Sequence, residues 1–320
     1  MHDILLVKTS SLGDVVHNLP VASDIRRHVP GAAIDWVVEE AYAPLVRMHS
    51  AVRDAIPVAM RRWRRNLGSM ATWQEMRALR ATLGAKTYDA VIDTQGLLKS
   101  ALIVRRARGR KHGFSRSTAR EPLAARAYDV LHDVPRTQHA VERNRQLAAA
   151  ALGYAVDDSP DYGLSVPAVT PIGLKQPYCV LLHSTSRADK LWPESEWQAL
   201  GKELATRGLA CVLPWGAADE EARSRRLAAV IPGAMIPPAM ALDALAAVLG
   251  HATLVVGVDT GLAHLAVATG APTVAVFLGS EPALTGVYGS PQAKNVGAFG
   301  AKPSVAEVFA AVRDVAPGIL

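Results

Sequence analysis

Short β-branched runs alternate with amphipathic stretches along this chain, and the alternation happens twice. DILLVK (3–8), AIDWVVE (33–39), AVRDAIPV (51–58) and YDAVIDTQ (88–95) read as strands. Between them LPVASDIRRHV (19–29) and TWQEMRALRATLGA (72–85) carry apolar residues at helical spacing. Such alternation predicts a parallel sheet with helices on both faces. The pattern breaks over residues 157–177, which hold four prolines and little periodicity and read as a linker. It then restarts with YCVLLHS (178–184), the helix PESEWQALGKELATRG (193–208), ACVLPWG (210–216), the helix DEEARSRRLAAVI (219–231), LVVGVDTG (254–261), LAHLAVATG (262–270) and PTVAVF (272–277). The expectation is two Rossmann-like α/β domains, 1–165 and 166–320, with the last helix (304–315) able to pack back on the first. Ligands of such folds bind at the carboxyl ends of the strands, so a cleft between the two sets of ends is expected.

Half of the 320 residues are apolar and a fifth charged, the composition of a soluble globular protein. MHDILLVKTS turns polar too soon for a signal peptide, and no apolar run approaches the roughly 18 residues of a membrane span. Cys179 and Cys211 lie in apolar runs and read as buried free thiols of a reducing cytosol. The net charge of +6 is lopsided. Residues 1–160 hold 24 Lys and Arg against 16 Asp and Glu, while residues 161–320 hold 11 against 13. RRWRR (61–65) and RRARGRK (105–111) supply much of the excess, either as solvated helix faces or as a surface for a polyanion.

The turn after the first strand, KTSSLGDVVHNLP (8–20), matches neither G-x-G-x-x-G nor G-x-x-x-x-G-K-[ST]. It places a carboxylate, Asp14, where a phosphate binder would avoid negative charge; a helix cap is the plain alternative. In the second half the strand 254–258 runs through Asp259 into a helix beginning near Gly261. The N–H groups of Thr260 and Gly261 would there form an anion site, with His264 one turn on. Asp259 also reads as an N-cap. A lone D-T-G cannot be an aspartic protease, which needs two acids. Thr185, Ser186 and Lys190, in HSTSRADKLWP, form a polar cationic loop after a strand and suit a phosphate. Glu220 either caps its helix or accepts from a ribose, and Met240 packs against a base or in the core. No His/Cys cluster has metal-ligand spacing, and G-x-G-x-x-G follows no candidate strand, against an NAD-dependent oxidoreductase.

KTSSLGDVVHNLP, RRWRR, DTQGLLKSA (93–101), AREPLA (119–124), QHAVERNR (138–145), HSTSRADKLWP, LPWGAADEE and VDTGLAHLA, in order from about residue 5 to 270, together resemble the ADP-heptose:lipopolysaccharide heptosyltransferases. These are glycosyltransferases of the GT-B fold, and the HSTSRADKLWP block favours the type that adds the first heptose over the type that adds the second. The resemblance implies inverting, metal-independent and cofactor-free transfer of L-glycero-D-manno-heptose from ADP-heptose to Kdo of Kdo–lipid A. It implies Asp14 as general base and Lys190 as the cation that stabilises departing ADP. It implies a donor site of Thr185, Ser186, Lys190, Glu220 (ribose), Met240 (adenine), Asp259, Thr260, Gly261 and His264. It implies an acceptor site of Lys8, Ser10, Arg61, Arg62, Arg64, Arg65 and Arg120. A peripheral position on the cytoplasmic face of the inner membrane follows, held to anionic lipid, with no nucleic-acid partner. A non-catalytic polyanion binder would need the arginines but neither Asp14 nor the Lys190 loop.

Overall fold

The computed structural model describes residues 2–156, 159–174 and 176–319. The chain divides into two compact units, Met1–Gly163 and Leu164–Leu320. In the first, six strands pair in parallel: β1 (His2–Val7), β2 (Ala32–Glu39), β3 (Val52–Val58), β4 (Thr87–Asp93), β5 (Arg108–Phe114) and β6 (Val130–His132). Their order is β3-β2-β1-β4-β5-β6. In the second, β7 (Tyr178–Leu182), β8 (Ala210–Val212), β9 (Leu254–Val258), β10 (Thr273–Phe277) and β11 (Ala293–Gly297) form a parallel sheet ordered β11-β10-β9-β7-β8. The central strands β1, β7, β9 and β10 are buried along nearly their whole length, as helices on both faces demand, so they read as unbroken apolar runs rather than alternating ones.

Strand order reverses once in each sheet. In the first, the chain moves outward from β1 through β2 to β3, then outward from β4 through β5 to β6. The crevice at the carboxyl ends therefore opens between β1 and β4. In the second the same logic places it between β7 and β9. These are the positions where open α/β sheets hold ligands.

RRARGRK does not lie on one solvated helix face: the helix Leu98–Val104 is capped at Arg105 and the remaining residues enter β5. Because β6 pairs only with His112–Phe114, the start of β5 is an uncovered sheet edge, and its charges resist pairing with another strand. The expected linker, residues 157–177, holds the boundary between the two units, and parts of it are anchored. Ser50 N–H donates to the Gly163 carbonyl (3.1 Å), while His251 bonds the Pro167 carbonyl (2.9 Å). Residues 157, 158 and 175 of that stretch lie outside the described residues.

The helix Val305–Val315, capped by Ser304 and Glu307, buries Val308, Ala311, Val312 and Val315 in the core of the second unit with Trp192, Trp197 and Leu200. Cys179 and Cys211 are buried free thiols, opposite one another in the β7–β8 register with sulfurs 3.5 Å apart.

Candidate functional site

At the switch point of the first sheet, β1 ends at Val7 and the chain turns through Lys8–Ser11 into the short helix Leu12–Val16. Gln95, just beyond β4, clamps that turn. Its Oε1 accepts from the N–H groups of Thr9 (2.9 Å) and Ser10 (3.2 Å), and its Nε2 donates to the Ser10 carbonyl (2.6 Å). Lys8 is 4% exposed and donates from Nζ to the Thr94 carbonyl (2.8 Å) and Asn144 Oδ1 (3.4 Å). Burial, with Arg120 and Arg143 nearby, lowers its pKa to about 8, against the pull of Asp14 and Asp93 in the other direction.

Asp14 does cap its helix, accepting the Ser11 N–H at 2.8 Å. Its carboxylate also meets Arg120 Nη1, 3.3 Å from each oxygen. Burial would raise its pKa, but Lys8, Arg120 and the Ser11 hydrogen bonds outweigh that and hold it below the ordinary carboxylate value. The cap and the charged site are thus one arrangement. Arg120 is itself held by its backbone: Arg136 donates to the Ala119 and Arg120 carbonyls, and Arg143 to that of Thr118. Gly96, at φ +64°, makes this packing possible, since a Cβ there would meet Phe114 at 3.2 Å and the Arg120 nitrogen at 3.4 Å.

The RRWRR helix, Met60–Arg65, is pinned by buried Trp63, whose Nε1 donates to Glu75 (2.6 Å). Arg61 donates its N–H to buried Glu39 at the end of β2 (3.1 Å). Arg62 is paired to both Glu40 and Glu75, while Arg64 and Arg65 are exposed. Arg120 therefore belongs to the surroundings of Asp14, Arg61 lies by Glu39 and acts on Lys99, and Arg62 is engaged in holding its own helix. Lys99 has no role in the sequence reading, yet it donates to Ser10 Oγ (2.5 Å) and feels the charges of Glu39, Arg61, Asp14 and Arg120. It and Gln95 lie inside DTQGLLKSA, so the signal was in hand without a function attached.

The switch point of the second sheet gathers the other set of residues. Asp259, at the end of β9, accepts from Lys190 Nζ at 2.5 Å and from the Ser280 hydroxyl. Its carbonyl accepts from Thr185 Oγ1 (3.0 Å), and His264 Nε2 stands 4.0 Å from its Oδ1. Asp259 thus ties the loop after β7 to the turn after β9. Thr260 is the N-cap residue of the helix Gly261–Ala268 and Ser186 is exposed on the loop. Buried His183 opens this loop, bonded to Ser224 (2.9 Å) and Ser184 (2.8 Å). Burial brings its pKa down to about 4, so it is neutral at pH 7.

Glu220, in the first turn of the helix Ala218–Ala228, accepts from the Gly216 (2.8 Å) and Ala217 (3.2 Å) N–H groups, a helix cap in a capping-box geometry. Met240 is half-buried in the loop before the helix Leu242–Gly250. Trp215 bridges toward that loop by donating to the Pro237 carbonyl (2.9 Å), a tie that periodicity could not reveal.

Two α/β units with polar, charged crevices at both switch points have the architecture of a two-domain sugar-nucleotide glycosyltransferase. Residues 76–310 match the glycosyltransferase family 9 (heptosyltransferase), and the chain belongs to that family. It is 46% identical to lipopolysaccharide heptosyltransferase 1 of Escherichia coli K12 over 292 residues, 90% of this chain and 92% of that protein. It is 45% identical to lipopolysaccharide heptosyltransferase 1 of Pseudomonas aeruginosa over 291 residues, 90% of this chain and 82% of that protein. The E. coli heptosyltransferase WaaC with ADP superposes with a TM-score of 0.90 at 42% identity, covering 99% of this chain and 100% of that one. The same enzyme with ADP-2-deoxy-2-fluoro heptose gives 0.85, also at 42% identity, over 97% and 98%. The resemblance read from the sequence blocks is thereby confirmed, as are the two parallel sheets and the enzyme class.

Proposed function

We propose that this protein transfers L-glycero-D-manno-heptose from ADP-heptose to a Kdo hydroxyl of Kdo–lipid A in lipopolysaccharide core synthesis, with inversion and without a metal. The acceptor oxygen attacks C1 of the heptose, the C1–O bond to ADP breaks, and the hydroxyl proton passes to Asp14. The observation that carries this reading is that the first switch point holds an ionised carboxylate ringed by Lys8, Arg120 and Ser11. The relatives supply the donor: a WaaC structure holds ADP-2-deoxy-2-fluoro heptose.

On the donor side, Lys190 is the cation that meets the diphosphate, with Thr185, Ser186, the N–H groups of Thr260 and Gly261, and His264. Asp259 holds Lys190 in place, so an arriving diphosphate meets a cation already positioned and largely buried. Charge building on the leaving ADP is stabilised there, a gain realised in the transition state. Glu220 accepts from the ribose and Met240 packs on adenine. On the acceptor side Lys8, Ser10, Arg61, Arg64, Arg65 and Arg120 bind the carboxylates and phosphates, and Arg62 fixes the helix that carries its neighbours. The protein works on the cytoplasmic face of the inner membrane.

The test is Asp14→Asn. We expect a loss in kcat of roughly 10²–10⁴-fold while calorimetry still records ADP-heptose binding. Near-normal turnover would remove Asp14 from the role of base. Turnover is expected to persist in excess EDTA; loss that added metal restores would end the metal-free scheme.

A further inference from the structure

The helices Met70–Gly84 and Leu98–Val104 lie on one side of the first sheet, where Met76, Leu79 and Leu83 pack with Ala101, Ile103 and Val104 in one core layer. Their outward sides are unusual for a soluble unit. Met70 (77% exposed) and Trp73 (49%) on the first helix, Leu98 (45%) and Leu102 (59%) on the second, Leu67 (53%) in the turn before the first and Leu123 (49%) in the short 3-10 helix Pro122–Ala127 are large apolar side chains in water with no core function. Met70, Trp73, Arg77 and Arg80 follow one another at helical spacing, so the apolar end of the first helix runs into a cationic stripe on the same face.

That stripe borders a recess of about 420 Å³ lined by Arg77, Arg80, Ala81, Gly84, Arg106 and Arg108, with no carboxylate in its wall. The one acid of the first helix, Glu75, is turned to Arg62 and Trp63, and residues 97–110 contain no acid. Four arginines around one recess repel each other unless an anion is present. Exposed apolar side chains beside cationic ones that have no acidic partner among the described residues match the two layers of a bilayer surface, acyl chain below and phosphate above.

Resting on the reading of a lipid-linked acceptor, we propose that this helical face docks on an anionic lipid bilayer. Leu67, Met70, Trp73 and Leu102 enter the headgroup–acyl boundary, and Arg77, Arg80, Arg106 and Arg108 bind lipid phosphates. The placement serves the reaction, because Lys99, next to Leu98, reaches Ser10 in the turn that carries Asp14. A membrane-held acceptor would be delivered at the edge of that crevice.

The test uses the full chain with vesicles of phosphatidylcholine alone or mixed with phosphatidylglycerol, read by co-sedimentation. Wild type is expected to bind the mixed vesicles and to be released by salt. Arg77→Ser with Arg80→Ser should weaken binding about 25-fold, about fivefold for each arginine near the surface. Trp73→Ser with Leu102→Ser should weaken it roughly tenfold or more. Trp73→Phe should keep binding but lose most quenching of tryptophan emission by brominated lipid. All these residues are exposed, and circular dichroism reports whether each variant is folded. Absent wild-type binding, or folded variants that bind like wild type, overturns the proposal. Transfer to a deacylated, water-soluble acceptor separates the two readings: if wild type and variants all transfer to it equally while vesicle binding is unchanged by substitution, the docking face is wrong and the heptosyltransferase reading stands. If wild type transfers heptose to no acceptor, that reading fails while the vesicle result still judges the docking face.

Discussion

Lys8 carries an ammonium group into a nearly dry site, and the cost of doing so is measurable. A fall from 10.5 to about 8 corresponds to about 3 kcal/mol of differential solvation and charge. The folded value lies below the unfolded one, so between these pH values the unfolded chain binds more protons. Stability therefore rises with pH from about 8 toward 10.5. Lys8→Met removes this cost but orphans the Thr94 carbonyl and Asn144 Oδ1, a loss of roughly 1–3 kcal/mol. Urea unfolding at pH 7 is expected to place the variant within about 1–2 kcal/mol of wild type. Its KM for the acceptor should rise by about tenfold or more, as a buried charged donor is lost. A variant that is both much less stable and equally active would refute a functional role for this buried charge. The same shifts set a pH profile: Asp14, held below the ordinary carboxylate value, stays ionised in mild acid, so kcat/KM should be level there. It should decline as Lys8 deprotonates through about pH 8, and that alkaline limb should be missing in Lys8→Met.

Strand β5 shows what one element contributes beyond its own residues. A methyl on Gly113 would stand 2.2–2.5 Å from ring atoms of Tyr128. The Tyr128 hydroxyl donates to Asp93 Oδ2 (2.7 Å), a fully buried carboxylate whose pKa burial raises. Gly113→Ala should therefore displace the ring, strip Asp93 of a donor and cost about 2–4 kcal/mol in urea unfolding, from overpacking plus a weakened buried polar contact. A change under about 0.5 kcal/mol would show that the ring moves freely. β5, like β6 and β11, was a strand that pattern reading missed. β7, β9 and β10 are recognisable because burial on both faces keeps them almost wholly apolar, and β1 and β4 because their buried stretches 4–7 and 90–92 are apolar. RGRKHGF breaks that rule, since its first half faces solvent at an edge that the three-residue β6 leaves open. Periodicity registers burial, and a half-covered strand has little to register.

Across the whole chain, acid should act through three buried histidines. His49, His112 and His183 have pKa values lowered to about 4, each chiefly by burial. Here too the folded value lies below the unfolded one, so the unfolded chain gains protons first as pH falls below 6.5. Stability is then lost between about pH 6.5 and 4, by up to about 3 kcal/mol for each residue. Two of the three lie in the first unit and one in the second. Urea midpoints measured from pH 7 to pH 4.5 should fall steadily, and His183→Gln, which keeps a polar partner for Ser224, should flatten part of the slope. Midpoints independent of pH in that range would mean these imidazoles titrate normally.

Several conclusions needed nothing beyond the order of residues: two α/β units, where helix Gly261–Ala268 starts, and the loops after β1, β7 and β9 as the places to look. Those follow from local physics, because strand and helix periodicities and helix starts involve residues a few positions apart. What folding alone settled is which distant groups meet. Gln95 clamping Thr9 and Ser10, Arg120 on Asp14, Asp259 collecting Lys190 and Ser280, and Arg62 turned to Glu40 and Glu75 are all contacts across large sequence separations. A side chain's charge state depends on those neighbours and on the depth of burial, and neither is written in the residues beside it.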